Sequence, residues 1–188
     1  MTGNLQLDQI LFLITVMIIT AFPAGFAAGL FGIGGGLITV PILFYIFNYS
    51  GIEPTYLMHL AVGTSFAIII PTSIVSVITH HQHKAVDFSI VKGYGIFVIL
   101  GVILGTIFAA SLKTKPLILF FSVVVYVLAF YLLFLKEKEQ DIKIRMGLPS
   151  KILSGLITGF ISAPMGIGGA VMNVPILKFF GYPINKAI

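Results

Sequence analysis

Long apolar tracts without ionised side chains constrain this chain more than any other feature. Between Gln9 and Gln82 the sole acidic or basic residue is Glu53, and residues 93–112, 116–135 and 152–177 contain none. A soluble domain carries charge at roughly a quarter of its positions. Here charged residues make up 9% of 188 and hydrophobic ones 58%. A bilayer core about 30 Å thick needs roughly 20 apolar residues per helical crossing. The tracts therefore predict helical elements at about 9–31, 37–49, 57–79, 91–112, 117–135, 151–165 and 170–181, all within one transmembrane domain covering 1–188. The fold class is all-α, a polytopic helical membrane protein. A transmembrane barrel would instead alternate polar and apolar residues about ten at a time.

The net charge of +5 is topological rather than a nucleic-acid footprint, because the basic residues stand at the ends of apolar spans. Lys84, Lys92, Lys136, Lys138, Lys143, Arg145 and Lys151 fall in two loops, 80–92 and 136–151, whereas the N-terminus and the 50–56 loop hold no Lys or Arg. The two basic loops are expected on the cytoplasmic side. Lys113 and Lys115 are exceptions, since counting crossings puts their loop outside. Cysteine is absent, which removes disulfides, thiolate nucleophiles and Cys-based metal sites. The apolar stretch from Ile10 to Phe22 lacks the basic flank of a signal peptide, so the first helix is expected to be retained.

An internal repeat organises the chain. Gly32-Ile33-Gly34-Gly35-Gly36-Leu37-Ile38-Thr39-Val40-Pro41-Ile42-Leu43 aligns without gaps to Gly166-Ile167-Gly168-Gly169-Ala170-Val171-Met172-Asn173-Val174-Pro175-Ile176-Leu177, with eight of twelve pairs identical. Gly25-Phe26 matches Gly159-Phe160 in the same register, and Ala61-Val62 corresponds to Ala187-Ile188. The first repeat is read as about 9–135, a charged cytoplasmic linker as 136–150, and an incomplete second repeat as 151–188. A complete second copy is expected to need roughly 60–80 further residues. The segments 37–49 and 170–181 are too short to cross about 30 Å at 1.5 Å per residue, and each follows a glycine cluster. Both are expected to be broken or re-entrant helices. With 37–49 counted as a return segment, an odd number of elements separates the motifs, so the repeats are expected to be inverted, as in many secondary transporters.

The glycines admit two readings. Gly25, Gly29, Gly32 and Gly36, four apart, suit close helix packing. Alternatively Gly34, Gly35, Gly36, Gly168 and Gly169 interrupt helices and leave backbone N–H groups facing a cavity. Helix N-termini each carry about half a positive charge, so two that converge would hold a small anion without a buried Lys or Arg. Pro41 and Pro175 recur beside these segments and are candidate hinges. Thr39, Thr64, Ser65 and Asn173 are candidate substrate-binding side chains; Thr39 and Asn173 occupy the same repeat position, and Thr64-Ser65 follows Gly63. His59, Thr72, Ser73 and Ser162 complete the polar candidates, although most Ser and Thr in such helices bond their own carbonyls. His59, with an intrinsic pKa near 6.5, is a candidate for proton coupling, against the alternative of capping a helix end.

No metal or other cofactor is expected. His80, His81 and His83 lie in one basic loop, and a transition-metal site needs ligands that converge from further apart. The chain offers no convincing Ser-His-Asp set, no HExxH motif and no ATP-binding loop, so an enzyme is not expected.

At these residues the sequence resembles the sulfite exporter TauE/SafE family of membrane transporters. The likeness rests on Gly29-Leu30-Phe31-Gly32-Ile33-Gly34-Gly35-Gly36 with Val40-Pro41, on Ala61-Val62-Gly63-Thr64-Ser65, on Met165-Gly166-Ile167-Gly168-Gly169 with Val174-Pro175, and on His83-Lys84-Ala85-Val86-Asp87. The resemblance implies transport of sulfur oxyanions or organosulfonates across the bacterial inner membrane. Ala170 replaces the third glycine of the second motif, and no second Gly-Thr-Ser follows Ile188. The reading that results is an ion-gradient-driven carrier of a small anion, whose partners are the lipid bilayer and its substrate. The alternatives are a non-transporting membrane scaffold or partner subunit, and a passive anion channel. Oligomeric state is not legible in the sequence.

Overall fold

The computed structural model describes residues 35–82, 88–134, 147–169 and 171–173, together with scattered positions between 11 and 29 and residue 176. Among the described residues the structure is helical, without strands. Five helices follow one another: α1 (Gly36–Tyr49), α2 (Leu57–Gln82), α3 (Phe88–Ser111), α4 (Thr114–Phe134) and α5 (Leu148–Met165). The described positions between Leu11 and Gly29 are also helical. Leu57–Gln82, Lys92–Ser111 and Thr114–Tyr131 are long and apolar enough to cross a membrane. In α2, α3 and α4 much of the apolar surface faces outward, for example Ile70, Val75, Ile99, Ile107, Leu119 and Val127. Such surface is stable against lipid and would be costly against water.

Lipid tails are as apolar as Leu, so helices pair in a membrane by close packing of small residues. The α3–α5 pair does this with two glycine spacings of four. Gly101 and Gly105 on α3 face Gly155 and Gly159 on α5. A Cβ on Gly159 would sit 2.6 Å from Val102 N, one on Gly155 2.8 Å from Phe97 Cβ, and one on Gly105 2.9 Å from Phe160 Cα. The two helices run parallel, with Gly93 beside Lys151 at one end and Gly105 beside Phe160 and Ala163 towards the other. At Gly25 and Gly29, by contrast, an added Cβ would meet nothing within 4 Å among the described residues. Close packing is concentrated instead between α3 and α5.

The other packed region joins α1, α2 and the end of α5. Val40, Leu43, Met58, Ala61, Val62, Met165 and Ile167 form one buried cluster. Pro41 lies inside α1, which continues through it. Two contacts tie the segments 50–56 and 111–114 to the same end of the helices. The Thr114 hydroxyl donates to Thr55 O, and His59 Nε2 lies 3.1 Å from Ala109 O. The opposite end carries the beginnings of α3 and α5, where Lys151 approaches Gly93.

Candidate functional site

The two glycine segments meet. A Cβ built on Gly36 would collide with Gly166 O and would lie 2.6 Å from Ile167 Cα, so backbone touches backbone. Gly36 is the first residue of α1, whose 14 residues reach about 21 Å, short of a full crossing. Ser65, which joins this contact, lies about 12 Å along α2 from its start, close to half the depth of a 30 Å core. The beginning of α1 is therefore held deep. Gly35 precedes it, and no side chain caps the helix. Ile38 and Thr39 N–H both donate to Gly35 O, and the N–H groups of Gly36 and Leu37, at the start of the helix, have no acceptor among the described residues.

A short polar chain crosses the contact. The Ser65 hydroxyl donates to Gly166 O at 2.9 Å, and Ser65 is wholly buried. Thr39 Oγ1 lies 3.0 Å from Ser65 Oγ and 3.0 Å from Gly35 O. Two hydroxyl protons serve three contacts. With the Ser65 proton on Gly166 O, the Thr39 proton alternates between Gly35 O and Ser65 Oγ. Ser65, expected to line a cavity, is thus engaged in joining α2 to the segment after α5. Gly166 turns left-handed at φ +65°, which lets its carbonyl face α2.

On the far side of Gly166 the surroundings change. Gly168 and Gly169 also take positive φ, +52° and +82°, and the chain is helical again at Val171–Asn173. Gly168 is exposed beside Ile69, while Gly169 is buried near Ser162 and Asn173. Tyr94 of α3 donates to Asn173 Oδ1 at 3.0 Å and lies 2.9 Å from Thr158 Oγ1. Thr158 is completely buried on α5.

Several expected residues stand elsewhere. Thr64 is half-buried with no hydrogen bond among the described residues. Thr72 and Ser73 bond carbonyls of their own helix. His59 reaches a carbonyl at the end of α3, a capping contact, while its buried Nδ1 has no partner among the described residues. Gly34 and Pro175 lie outside the described residues. A cavity of about 80 Å³ adjoins Thr39, otherwise lined by Met17, Ala21, Ile42, Leu43, Ile46 and Ile68. At about 30 Å³ per water its apolar walls suit hydrocarbon better than an ion. The described lysines, Lys92, Lys113, Lys115 and Lys151, all lie at helix ends. Among the described residues, then, no lysine lies at mid-depth, and the donors there are neutral.

Tyr94 and Thr158 were not among the sequence candidates. The usable signal was the spacing of Lys151, Ser154, Thr158 and Ser162, which puts polar side chains along one face of an otherwise apolar helix.

Comparison with known proteins agrees with this architecture. A protein of Methanocaldococcus jannaschii named probable membrane transporter protein is 32% identical over 181 residues, 96% of this chain and 67% of the relative. A protein of Haemophilus influenzae with the same description is 34% identical over 165 residues, 88% of this chain and 62% of the relative. The chain thus spans about two thirds of the length of these relatives. No solved structure matches it. The sulfite exporter TauE/SafE family matches residues 17–188, with both glycine segments and helices α1 to α5 inside the match, and the chain belongs to that family of multi-pass membrane proteins.

Proposed function

We propose that the chain forms part of a carrier for a small anion, a sulfur oxyanion or an organosulfonate, driven by an ion gradient across the inner membrane. The observation that supports this most is the direct contact of Gly36 with Gly166, which brings two glycine-flanked chain turns to one depth. The orphan N–H groups at the start of α1 carry partial positive charge, and the backbone at Gly168 and Gly169 supplies further donors. Thr39 and Asn173 contribute side chains from equivalent repeat positions, with Thr64 nearby on α2. Pro41 and Pro175 act as hinges. Loops 80–92 and 136–151 face the cytoplasm.

His59 is the coupling group in this reading. Its Nε2 lies against Ala109 O, and its buried Nδ1 has no partner among the described residues. His59→Gln keeps a donor for that carbonyl and removes the imidazole. Uptake driven by a pH gradient is expected to fall to the ungated rate, while exchange at equal pH persists.

The direct test is counterflow in proteoliposomes with labelled sulfite, sulfate and taurine. Saturable exchange of at least one of them is expected; linear flux would indicate a passive channel, and no flux would defeat the reading. The tight backbone contact at Gly36 also favours a second reading, a non-transporting scaffold or partner subunit in which glycines only pack helices. That reading requires stable folding without any anion flux.

A further inference from the structure

Ser162 is the buried helical hydroxyl left unpartnered among the described residues. Ser50, Thr79, Thr106 and Ser154 each donate to the carbonyl four residues earlier. Ser162 is 4% exposed, yet its buried Oγ has no partner among the described residues. An orphaned buried hydroxyl in a native structure calls for an explanation. Its position supplies one: the oxygen lies 4.0 Å from the point where Gly169 would carry a Cβ, and Asn173 Nδ2 lies 3.4 Å from the same point. Two polar groups therefore converge on space left by a missing side chain. The N–H groups of Gly168 and Gly169, both at positive φ, have no acceptor among the described residues.

The carboxamide is not free to turn. Tyr94 has one hydroxyl proton, and it goes to Asn173 Oδ1. The Thr158 contact must then run the other way, from the threonine hydroxyl to the phenol oxygen. This relay fixes Oδ1 towards α3 and Nδ2 towards Gly169. It also occupies the one strong acceptor of Asn173, so the groups left at Gly169 are predominantly donors.

We propose that Ser162, Asn173 and the backbone of Gly168 and Gly169 form an oxyanion-binding site in the second half of the chain, with Tyr94 and Thr158 as positioning residues. This rests on the anion-carrier reading above and assigns its contacts. A donor set without cation or free carboxylate selects fully ionised oxyanions such as sulfate or a sulfonate. It disfavours metal cations, which need acceptors, and disfavours dihydrogen phosphate, whose own hydroxyls find few acceptors.

The test measures half-saturation and maximal rate of counterflow with labelled sulfate, for the reconstituted chain and its variants. Ser162→Ala removes a hydroxyl that holds no partner among the described residues, so the fold should tolerate it. Half-saturation is expected to rise about tenfold to a hundredfold, the usual worth of a hydrogen bond to a charged group, with maximal rate within about twofold. Tyr94→Phe should raise it similarly, Thr158→Val less, and Ser162→Thr should restore much of the loss. Unlabelled phosphate should compete more weakly than a sulfonate. Saturable uptake whose half-saturation is unchanged in both Ser162→Ala and Tyr94→Phe overturns this proposal alone. No saturable uptake of sulfite, sulfate or taurine by the unaltered chain overturns the carrier reading and this proposal with it.

Discussion

The two glycine segments share eight of twelve residues, yet their surroundings treat them differently. Around Gly36 the polar groups are mutually engaged: Thr39 meets Ser65, and Ser65 holds Gly166 O. Around Gly169 the hydroxyl of Ser162 is unpartnered among the described residues, and Asn173 turns its Nδ2 towards Gly169 while Oδ1 accepts from Tyr94. One segment serves as a joint and the other as a set of open donors. At the equivalent repeat positions Gly35 and Gly169 the backbone itself differs, φ −58° against +82°, so repetition in sequence fixes neither backbone shape nor chemical role, and both depend on what the neighbouring helices bring.

The largest expected effect tests the joint. Gly36→Val would drive a Cβ into the backbone of Gly166 and Ile167, neither of which is the flexible end of a side chain. Overpacking commonly costs about 1–3 kcal/mol and more where the neighbour cannot yield. A loss at or above the top of that range is expected, read as a collapse of the monodisperse peak and of thermal stability in detergent. A stable, monodisperse Gly36→Val protein would show that the two segments are not in contact.

Next comes the α3–α5 seam. Gly159→Ala places a methyl 2.6 Å from Val102 N and 2.9 Å from Gly101 C. The helices must separate, at about 1–3 kcal/mol, and thermal stability should drop with little change in anion half-saturation. Ser65→Ala acts through the joint itself, leaving Gly166 O buried without its donor, a cost of about 1–3 kcal/mol. Its effect should be smaller than that of Gly36→Val because no atoms collide. Ser65→Thr, which keeps the hydroxyl, separates loss of the bond from loss of packing.

Much of the helical layout was legible in the sequence. The tracts 57–79, 91–112, 117–135 and 151–165 correspond to helices Leu57–Gln82, Phe88–Ser111, Thr114–Phe134 and Leu148–Met165. Apolar composition locates the part of a helix inside lipid, but hydrogen bonding carries the helix on into polar residues such as His80 and His81, which explains the longer observed ends. The short α1 was legible from its length and the glycines before it. Thr39 and Asn173 stand out through the repeat, and both make polar contacts in the fold. Tyr94 was not, since a tyrosine two residues after Lys92 reads equally well as an interfacial anchor. Its hydroxyl contacts are with Thr158 and Asn173, 64 and 79 residues away. The hidden role of Ser65 has the same origin: its type and spacing point to a polar lining, while only the packed fold puts a carbonyl within its reach.

The smallest effect is expected at Gly25, and it sharpens the comparison most. Gly25 and Gly159 hold the same place in the repeat, each followed by Phe. Gly159 is pressed against α3, whereas among the described residues no atom of another element lies within 4 Å of a Cβ on Gly25. Gly25 is helical, and Ala is favoured over Gly in a helix interior by about 0.8–1.0 kcal/mol. Gly25→Ala should therefore be neutral or stabilising by up to about 1 kcal/mol, opposite in sign to Gly159→Ala, when the two are compared by thermal melts of the same preparation. A loss at Gly25 as large as that at Gly159 would mean that a helix packs there as α3 packs on α5, and the asymmetry between the two halves would disappear.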